Sequence, residues 1–168
     1  MLIIYTGNGK GKTSAAAGQA LRALGWGFRV CFGQFMKRDN QAGEQIMLKK
    51  MLGDDFCSCG SGFFLNEDQR EKQREGAQKL LDWSREKIQD RPDMLILDES
   101  LYALNMKLIS RREVSELIDV CREENVHLLL TGRNAPDWLV HEADLVSEIQ
   151  VIKHPFQEGT KASMGIEF

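Results

Sequence analysis

The segment Thr6-Gly7-Asn8-Gly9-Lys10-Gly11-Lys12-Thr13 narrows the chemistry of this chain more than any other. Glycines let successive backbone N–H groups curl around an anion without Cβ clashes. A helix starting at Lys12 presents about half a positive charge at its N-terminus. Lys12 is long enough to reach distal phosphates, and Thr13 can offer a hydroxyl to Mg²⁺. Ser14 completes the candidate nucleotide-binding set of Gly7, Asn8, Gly9, Lys10, Gly11, Lys12 and Thr13. The usual motif has a glycine five residues before the glycine of Gly-Lys-Thr; here that place is Thr6, and Gly7 stands four before Gly11. The loop is therefore one residue tighter. A Gly-rich turn without a ligand is the alternative, and the order strand, loop, Gly-Lys-Thr, helix speaks against it.

A second set of residues lies at the end of an apolar run, Met94-Leu95-Ile96-Leu97-Asp98-Glu99. In an open parallel sheet, ligands bind beyond the carboxyl ends of strands, so both carboxylates are expected near the phosphate loop. Asp98 or Glu99 can hold Mg²⁺ directly or through water, because hard cations prefer oxygen. Capping of a following helix by Asp98 is a compatible second role. A hydrolase needs an acid to orient water and a transferase does not, so these residues alone leave the reaction type open.

The elements that must position these groups alternate between apolar runs and helical patterns, the signature of βαβ units. Leu2 to Thr6 reads as a buried strand and Lys12 to Leu24 as the helix after it, ended by Gly25 and Gly27. Phe28 to Phe35 reads as the second strand, Gln41 to Leu52 as a short helix, and Phe56 to Phe64 as loop or edge strand. Asn66 to Ile88 is a long charged helix, with the charges from Glu67 to Arg91 solvating its outer face. Ser110 and Glu113 form a capping box that opens a helix to about Glu124. Val126 to Thr131 and Leu145 to Ile152 read as strands, with a short helix after Pro136 between them. The tail from Lys153 to Phe168 is read as adding a further edge strand. The expected fold is a three-layer, P-loop NTPase-like (RecA-like) α/β sandwich, with a mostly parallel sheet of five or six strands in one domain, 1–168.

Composition agrees with one such domain. The chain has 168 residues, 42% hydrophobic and 28% charged. No apolar run approaches the roughly 18 residues of a spanning helix. The N-terminus lacks the pattern of a signal peptide, so a cytoplasmic protein with no membrane partner is expected. A net charge of −3 without a long basic run argues against a nucleic-acid partner. Cys31, Cys57, Cys59 and Cys121 are read as reduced structural thiols, with metal or redox chemistry at the Cys57-x-Cys59 pair as the alternative.

Taken together, these motifs resemble the ATP:corrinoid adenosyltransferases of the P-loop type. The resemblance spans nearly the whole chain: the phosphate loop, Gln34-Phe35-Met36-Lys37, Gly43-Glu44, Gly62-Phe63, Leu97-Asp98-Glu99, Leu130-Thr131-Gly132-Arg133, Ala143-Asp144-Leu145-Val146, and Lys153-His154-Pro155-Phe156 through Gly165-Ile166-Glu167-Phe168. It implies binding of MgATP and of a corrinoid reduced to Co(I), attack of cobalt on the 5′ carbon, and release of triphosphate. In this family ATP lies reversed relative to ordinary P-loop hydrolases. The resemblance assigns Thr13 and Glu99, with Asp98 nearby, to Mg²⁺, and Lys12, Asn8, Lys10 and Gly11 to phosphates. Lys12, Thr13 and Glu99 are thus the candidate catalytic residues. Phe63 matches a family aromatic, and the Cys57 to Leu65 segment is expected to cover the corrinoid's lower face. Leu65 stands where relatives often have Trp, and Met1 lies almost at the first strand where relatives often carry an enclosing arm. A homodimer and a flavoprotein reductant are also implied.

Arg133 is a candidate contact to phosphate or corrinoid, or else a surface ion-pair residue. Gln34 and Lys37 lie on the ligand side of a strand end. His127, His141 and His154 are too scattered for a metal triad, and Trp26, Trp83 and Trp138 are read as packing residues. The competing enzyme class is an ordinary P-loop ATPase or kinase acting by phosphoryl transfer, disfavoured by the tight loop and the lack of an Arg-rich lid segment. A non-catalytic nucleotide-binding regulator predicts tight MgATP binding without turnover.

Overall fold

Residues 1–38, 42–60, 62, 67–155, 159 and 161–166 are described by a computed structural model. Six parallel strands form one sheet: β1 (Leu2–Thr6), β2 (Val30–Gln34), β3 (Phe56–Ser58), β4 (Met94–Asp98), β5 (His127–Thr131) and β6 (Leu145–Glu148). Their order across the sheet is β3-β2-β4-β5-β1-β6, with every pairing parallel. The helices are α1 (Lys12–Gly25), α2 (Gly43–Leu52), α3 (Glu67–Gln89), α4 (Ser100–Asn105), α5 (Arg111–Glu123) and α6 (Asp137–Glu142).

Alternation along the strands sorts the apolar residues into two cores, as a sheet covered on both faces requires. Ile3, Val30, Phe32, Met94, Ile96 and Leu129 pack with Ala16, Ala20 and Ala23 of α1 and Leu48 of α2. Leu2, Ile4, Cys31, Leu95, Leu97, Leu128 and Leu130 pack on the other face with residues of α3, α5 and α6. In α3, Gln73, Ala77, Leu80, Leu81, Ser84 and Ile88 are buried at helical spacing, while Glu71, Lys72, Arg74, Glu75, Lys79, Asp82 and Glu86 are exposed. Each fully buried Leu or Ile contributes about 1.5–3 kcal/mol relative to exposure. Asp98 shares its face with Met94 and Ile96, which aims it at α1 and the phosphate loop.

Several elements differ from their sequence reading. The second strand begins at Val30, and Phe56–Ser58 is a true edge strand paired to β2. The strand expected to run to Ile152 ends at Glu148, and among the described residues of the tail there is no strand. α4 has no counterpart in the sequence reading. Trp26 is 82% exposed rather than packed: it is the C-cap of α1, beyond the last helical turn, where Gly27 at φ 78° turns the chain. Trp83 and Trp138 do pack against the second core. The capping box holds as read: Ser110 Oγ accepts from Glu113 N at 3.2 Å, and Glu113 accepts from Ser110 N at 2.7 Å.

Candidate active site

The phosphate loop leaves β1, and β5 lies between β1 and the acidic strand β4. Gly7 at φ 100° and Gly11 at φ 115° adopt left-handed conformations that favour glycine. Gly11 caps α1 without a side chain, so the first N–H groups of the helix stay open to a ligand. Gly7 and Gly9 serve a further need. A Cβ at Gly7 would collide with the Ile149 carbonyl, and one at Gly9 would lie 2.7 Å from the carbonyls of both Ile149 and Gln150. The chain leaving β6 therefore lies directly behind the loop.

A cavity of about 810 Å³ opens over this loop. Of the residues named from the sequence, Asn8, Gly9, Lys10, Gly11, Lys12, Thr13, Ser14, Glu99 and Arg133 line it. Gly7 lies outside the lining and shapes the turn. Phe63 and Leu65 lie outside the described residues, so the aromatic cover expected there has no structural description. Lys37, Gly43, Glu44, Val151, His154, Gly165 and Ile166 complete the lining. Lys10 donates to the Ile166 carbonyl, bringing the tail onto the loop.

Lys12 is nearly buried and donates to the carbonyls of Gly7 at 2.8 Å and Gly9 at 2.7 Å. Burial, followed by Arg133, lowers its pKa, while Glu99 and Asp98 work the other way. Asp98 is fully buried beneath the cavity. It accepts from Thr131 Oγ1 at 2.6 Å, Gln34 Nε2 at 2.9 Å and Thr13 Oγ1 at 3.1 Å, and pairs with Lys37 Nζ at 3.1 Å. Burial opposes the charge on Lys37, but Asp98 and then Glu44 outweigh it, and the Lys37 pKa rises. Lys37 also reaches Thr13 Oγ1 and Glu44, each at 3.3 Å.

Glu99 follows Asp98 at φ 59°, a left-handed conformation uncommon for a side-chain-bearing residue. Its N–H donates to Thr131 Oγ1 at 3.0 Å, which fixes the turn. Asp98 does not cap α4: Glu99 occupies the cap position, without a side-chain bond. Burial, then the neighbouring Asp98, raises the Glu99 pKa, partly offset by Lys37, Lys12 and Arg133. Thr13, Asp98 and Glu99 thus gather oxygen donors of the kind a hard divalent cation selects. An added cation also relieves the conflict between two adjacent carboxylates, so the residues present fit Mg²⁺.

Sequence reasoning did not single out Gln45 or Thr131 individually. Gln45 is fully buried; its Nε2 donates to Gln34 Oε1 at 2.9 Å and to Ser58 Oγ at 3.2 Å, and its Oε1 accepts from Ala42 N at 3.1 Å. It orients Gln34 toward Asp98. Glutamine on a mixed helix carries no periodic signal, whereas Thr131 was visible as the strand-end residue of Thr-Gly-Arg.

Comparison with known proteins places this arrangement. The family model described as ATP:corrinoid adenosyltransferase BtuR/CobO/CobP matches residues 1–168. A corrinoid adenosyltransferase from Sinorhizobium is 37% identical over all of this chain and 80% of its own length. That of Escherichia coli K12 is 33% identical, and the corrinoid adenosyltransferase CobA of Salmonella typhimurium 34%, each over all of this chain and 85% of the relative. Among solved structures, a KaiC-like protein from Pyrococcus horikoshii matches the P-loop fold with a TM-score of 0.54 at 16% identity, over 91% of this chain and 73% of that one. On the full-length family match and these relatives, the chain belongs to the ATP:corrinoid adenosyltransferase family.

Proposed function

We propose that the protein transfers the 5′-deoxyadenosyl group of ATP to the Co(I) of a reduced corrinoid and releases triphosphate, in cobalamin biosynthesis or salvage. One observation carries the reading: Lys10, Lys12, Lys37 and Arg133 all line the cavity over the phosphate loop. Cationic groups and open N–H groups around one space suit the binding of a whole departing triphosphate. In the reaction, the electron pair of Co(I) forms the Co–C bond to C5′. The C5′–O bond breaks, and its pair stays on the triphosphate oxygen. No protein nucleophile or general base is required, so the residues act by orientation and charge stabilisation.

Lys12 and Lys10, with the backbone of Asn8 and Gly11, hold the phosphates; Gly9 shapes the loop through its N–H to the Ile149 carbonyl, and Ser14 and Arg133 complete the binding set. To serve the phosphates, Lys12 exchanges its bonds to the Gly7 and Gly9 carbonyls for phosphate oxygens. Thr13 and Glu99 hold Mg²⁺, with Asp98 orienting Thr13 from below; the bound ion supplies further charge neutralisation to the triphosphate. Phe63 contributes to the corrinoid side. Family membership supports a homodimer and a flavoprotein that delivers the reduced corrinoid.

The test is anaerobic incubation with MgATP and chemically reduced cob(I)alamin, following the corrinoid visible spectrum and inorganic triphosphate. A light-sensitive alkylcorrinoid with one triphosphate per turnover is expected, and Lys12→Ala and Glu99→Ala should abolish it. Steady phosphate release without corrinoid, and no alkylcorrinoid, would establish phosphoryl transfer instead.

A further inference from the structure

Cys57 lies on the edge strand β3 and Cys59 just beyond its end, and their sulfurs are 2.9 Å apart. Both are half-buried and pack against the core under α3. Two residues of extended chain span about 6.6 Å between Cα atoms, near the upper end of the range a disulfide bridges. Closing the remaining gap needs only a slight bend beyond the strand end. Cys31 and Cys121 differ: both are buried, and burial pushes their thiols up to about 12. The hydrogen bond from Cys57 holds the Cys59 thiol down at about 7 against its burial, with Lys79 adding to the effect. Thiolate is the reactive form, so Cys59 is the attacking sulfur of the pair. Among the described residues no group of three His, Cys, Asp or Glu could hold a metal, so the pair lacks the ligand set of a tetrahedral zinc site.

We propose that Cys57 and Cys59 are a redox dithiol that exchanges with low-molecular-weight disulfides of the glutathione type, and that its closure weakens nucleotide binding. In the exchange, Cys59 thiolate attacks one sulfur of the small disulfide; that S–S bond breaks, and one thiolate leaves. Cys57, losing its proton, then attacks the Cys59 sulfur of the mixed disulfide and expels the second thiolate. The two cysteine protons end on the two released thiols, and the small disulfide accepts the two electrons.

The route to the cavity is short. Cys59 N donates to the Gln34 carbonyl at 3.3 Å, and Ser58 Oγ to the Lys37 carbonyl at 2.8 Å. Gln34 and Lys37 are the two residues of this strand end that hold Asp98. Gly76 of α3 lies so close to the Cys59 carbonyl that a Cβ there would clash, so the backbone cannot relax toward α3. Bending the 57–59 segment therefore moves Ser58 and its bonds to Gln45 and Lys37. This half of the proposal rests on the nucleotide-binding reading above; the dithiol chemistry does not.

The test equilibrates the intact protein with oxidised and reduced glutathione, quenches with acid and alkylates. Both cysteines lie in the single tryptic peptide 51–70. That peptide is expected lighter by two hydrogens and unalkylated, at a ratio where Cys31 and Cys121 remain alkylated. Unchanged thiols, or stable single glutathione adducts, would overturn the dithiol. Calorimetric MgATP affinity of the two forms is then compared, with an expected weakening of about five-fold or more on oxidation. The double variant Cys57→Ser, Cys59→Ser, which can form neither the mixed disulfide nor the bridge, should bind like the reduced protein in either buffer. A disulfide without a change in affinity would overturn the coupling. Absence of MgATP binding in both forms would instead count against the functional reading, leaving the peptide result to stand by itself.

Discussion

The backbone N–H of Gly9 donates to the carbonyl of Ile149 at 2.7 Å, tying the phosphate loop to the chain that leaves β6. Gly9, which makes this contact, and Gly11, two residues on, therefore fail in different ways when replaced. Gly9→Ala sets a Cβ against two backbone carbonyls that no side-chain rotation can clear. It is expected to displace residues 149–150, lower Tm and weaken MgATP binding together. Gly11→Ala meets nothing within 4 Å, but must hold φ 115°. Its cost is backbone strain of about 1–3 kcal/mol, concentrated in the loop. Thermal melts with and without MgATP separate the two cases, and equal effects would count against the packing argument.

Asp98 and Glu99 are adjacent but divide their work. Asp98 satisfies Thr131, Gln34 and Thr13 and pairs with Lys37. Asp98→Ala leaves buried donors and a cation without their acceptor, which costs on the order of 3–5 kcal/mol. Urea denaturation of the nucleotide-free protein is the measurement. A loss below about 1 kcal/mol would mean that water or rearrangement replaces the carboxylate easily.

Glu99→Gln is expected to do the reverse. Folding raises the Glu99 pKa, so its neutral form is favoured in the native state and its ionised form carries a cost. The favourable contribution is complete below the ordinary value of 4.5 and is lost as pH rises through the higher folded value. The variant should match the parent near pH 4 and melt higher at pH 7, while losing Mg²⁺-dependent ATP binding. A stability gain that is the same at both pH values would rule out titration as its origin.

The site was legible in the sequence where chemistry demands a motif, and the fold where burial demands a period. Lys12, Thr13 and Glu99 stood out through the Gly-Lys-Thr run and the acidic strand end, and all three line the same cavity. β1, β4 and α5 stood out through apolar runs and a capping box. α4 escaped notice because it is six residues long and starts at a left-handed Glu99 without a side-chain cap. Gln45 and the Ile149-Gln150 backing act through tertiary contact, which local pattern does not encode. Trp26 illustrates the opposite error: a large apolar residue after a helix looks like core, but its side chain lies past the turn that faces the sheet.

Asp55 is the acidic centre of a cluster far from the cavity, and it predicts how the fold responds to acid. It pairs with Arg29 at 2.9 Å and Lys87 at 2.8 Å, and Arg29 also reaches Asp90 at 3.3 Å. The cluster joins the approach to β2, the turn after α2 and the end of α3. The hydrogen bond from Arg29, with Lys87 adding, lowers the Asp55 pKa to about 2. A depressed acid contributes stability above its ordinary value of 3.8, lost as pH falls toward about 2. Arg29 is partly exposed, so the contribution is on the order of 1 kcal/mol, or about 2–4 °C in Tm for a chain of this size. Asp55→Asn should therefore melt lower than the parent at pH 7, and the difference should close between pH 4 and pH 2. High salt should shrink it by screening the exposed arm of the cluster. A difference that survives unchanged at pH 2 would assign the role of Asp55 to its shape rather than its charge.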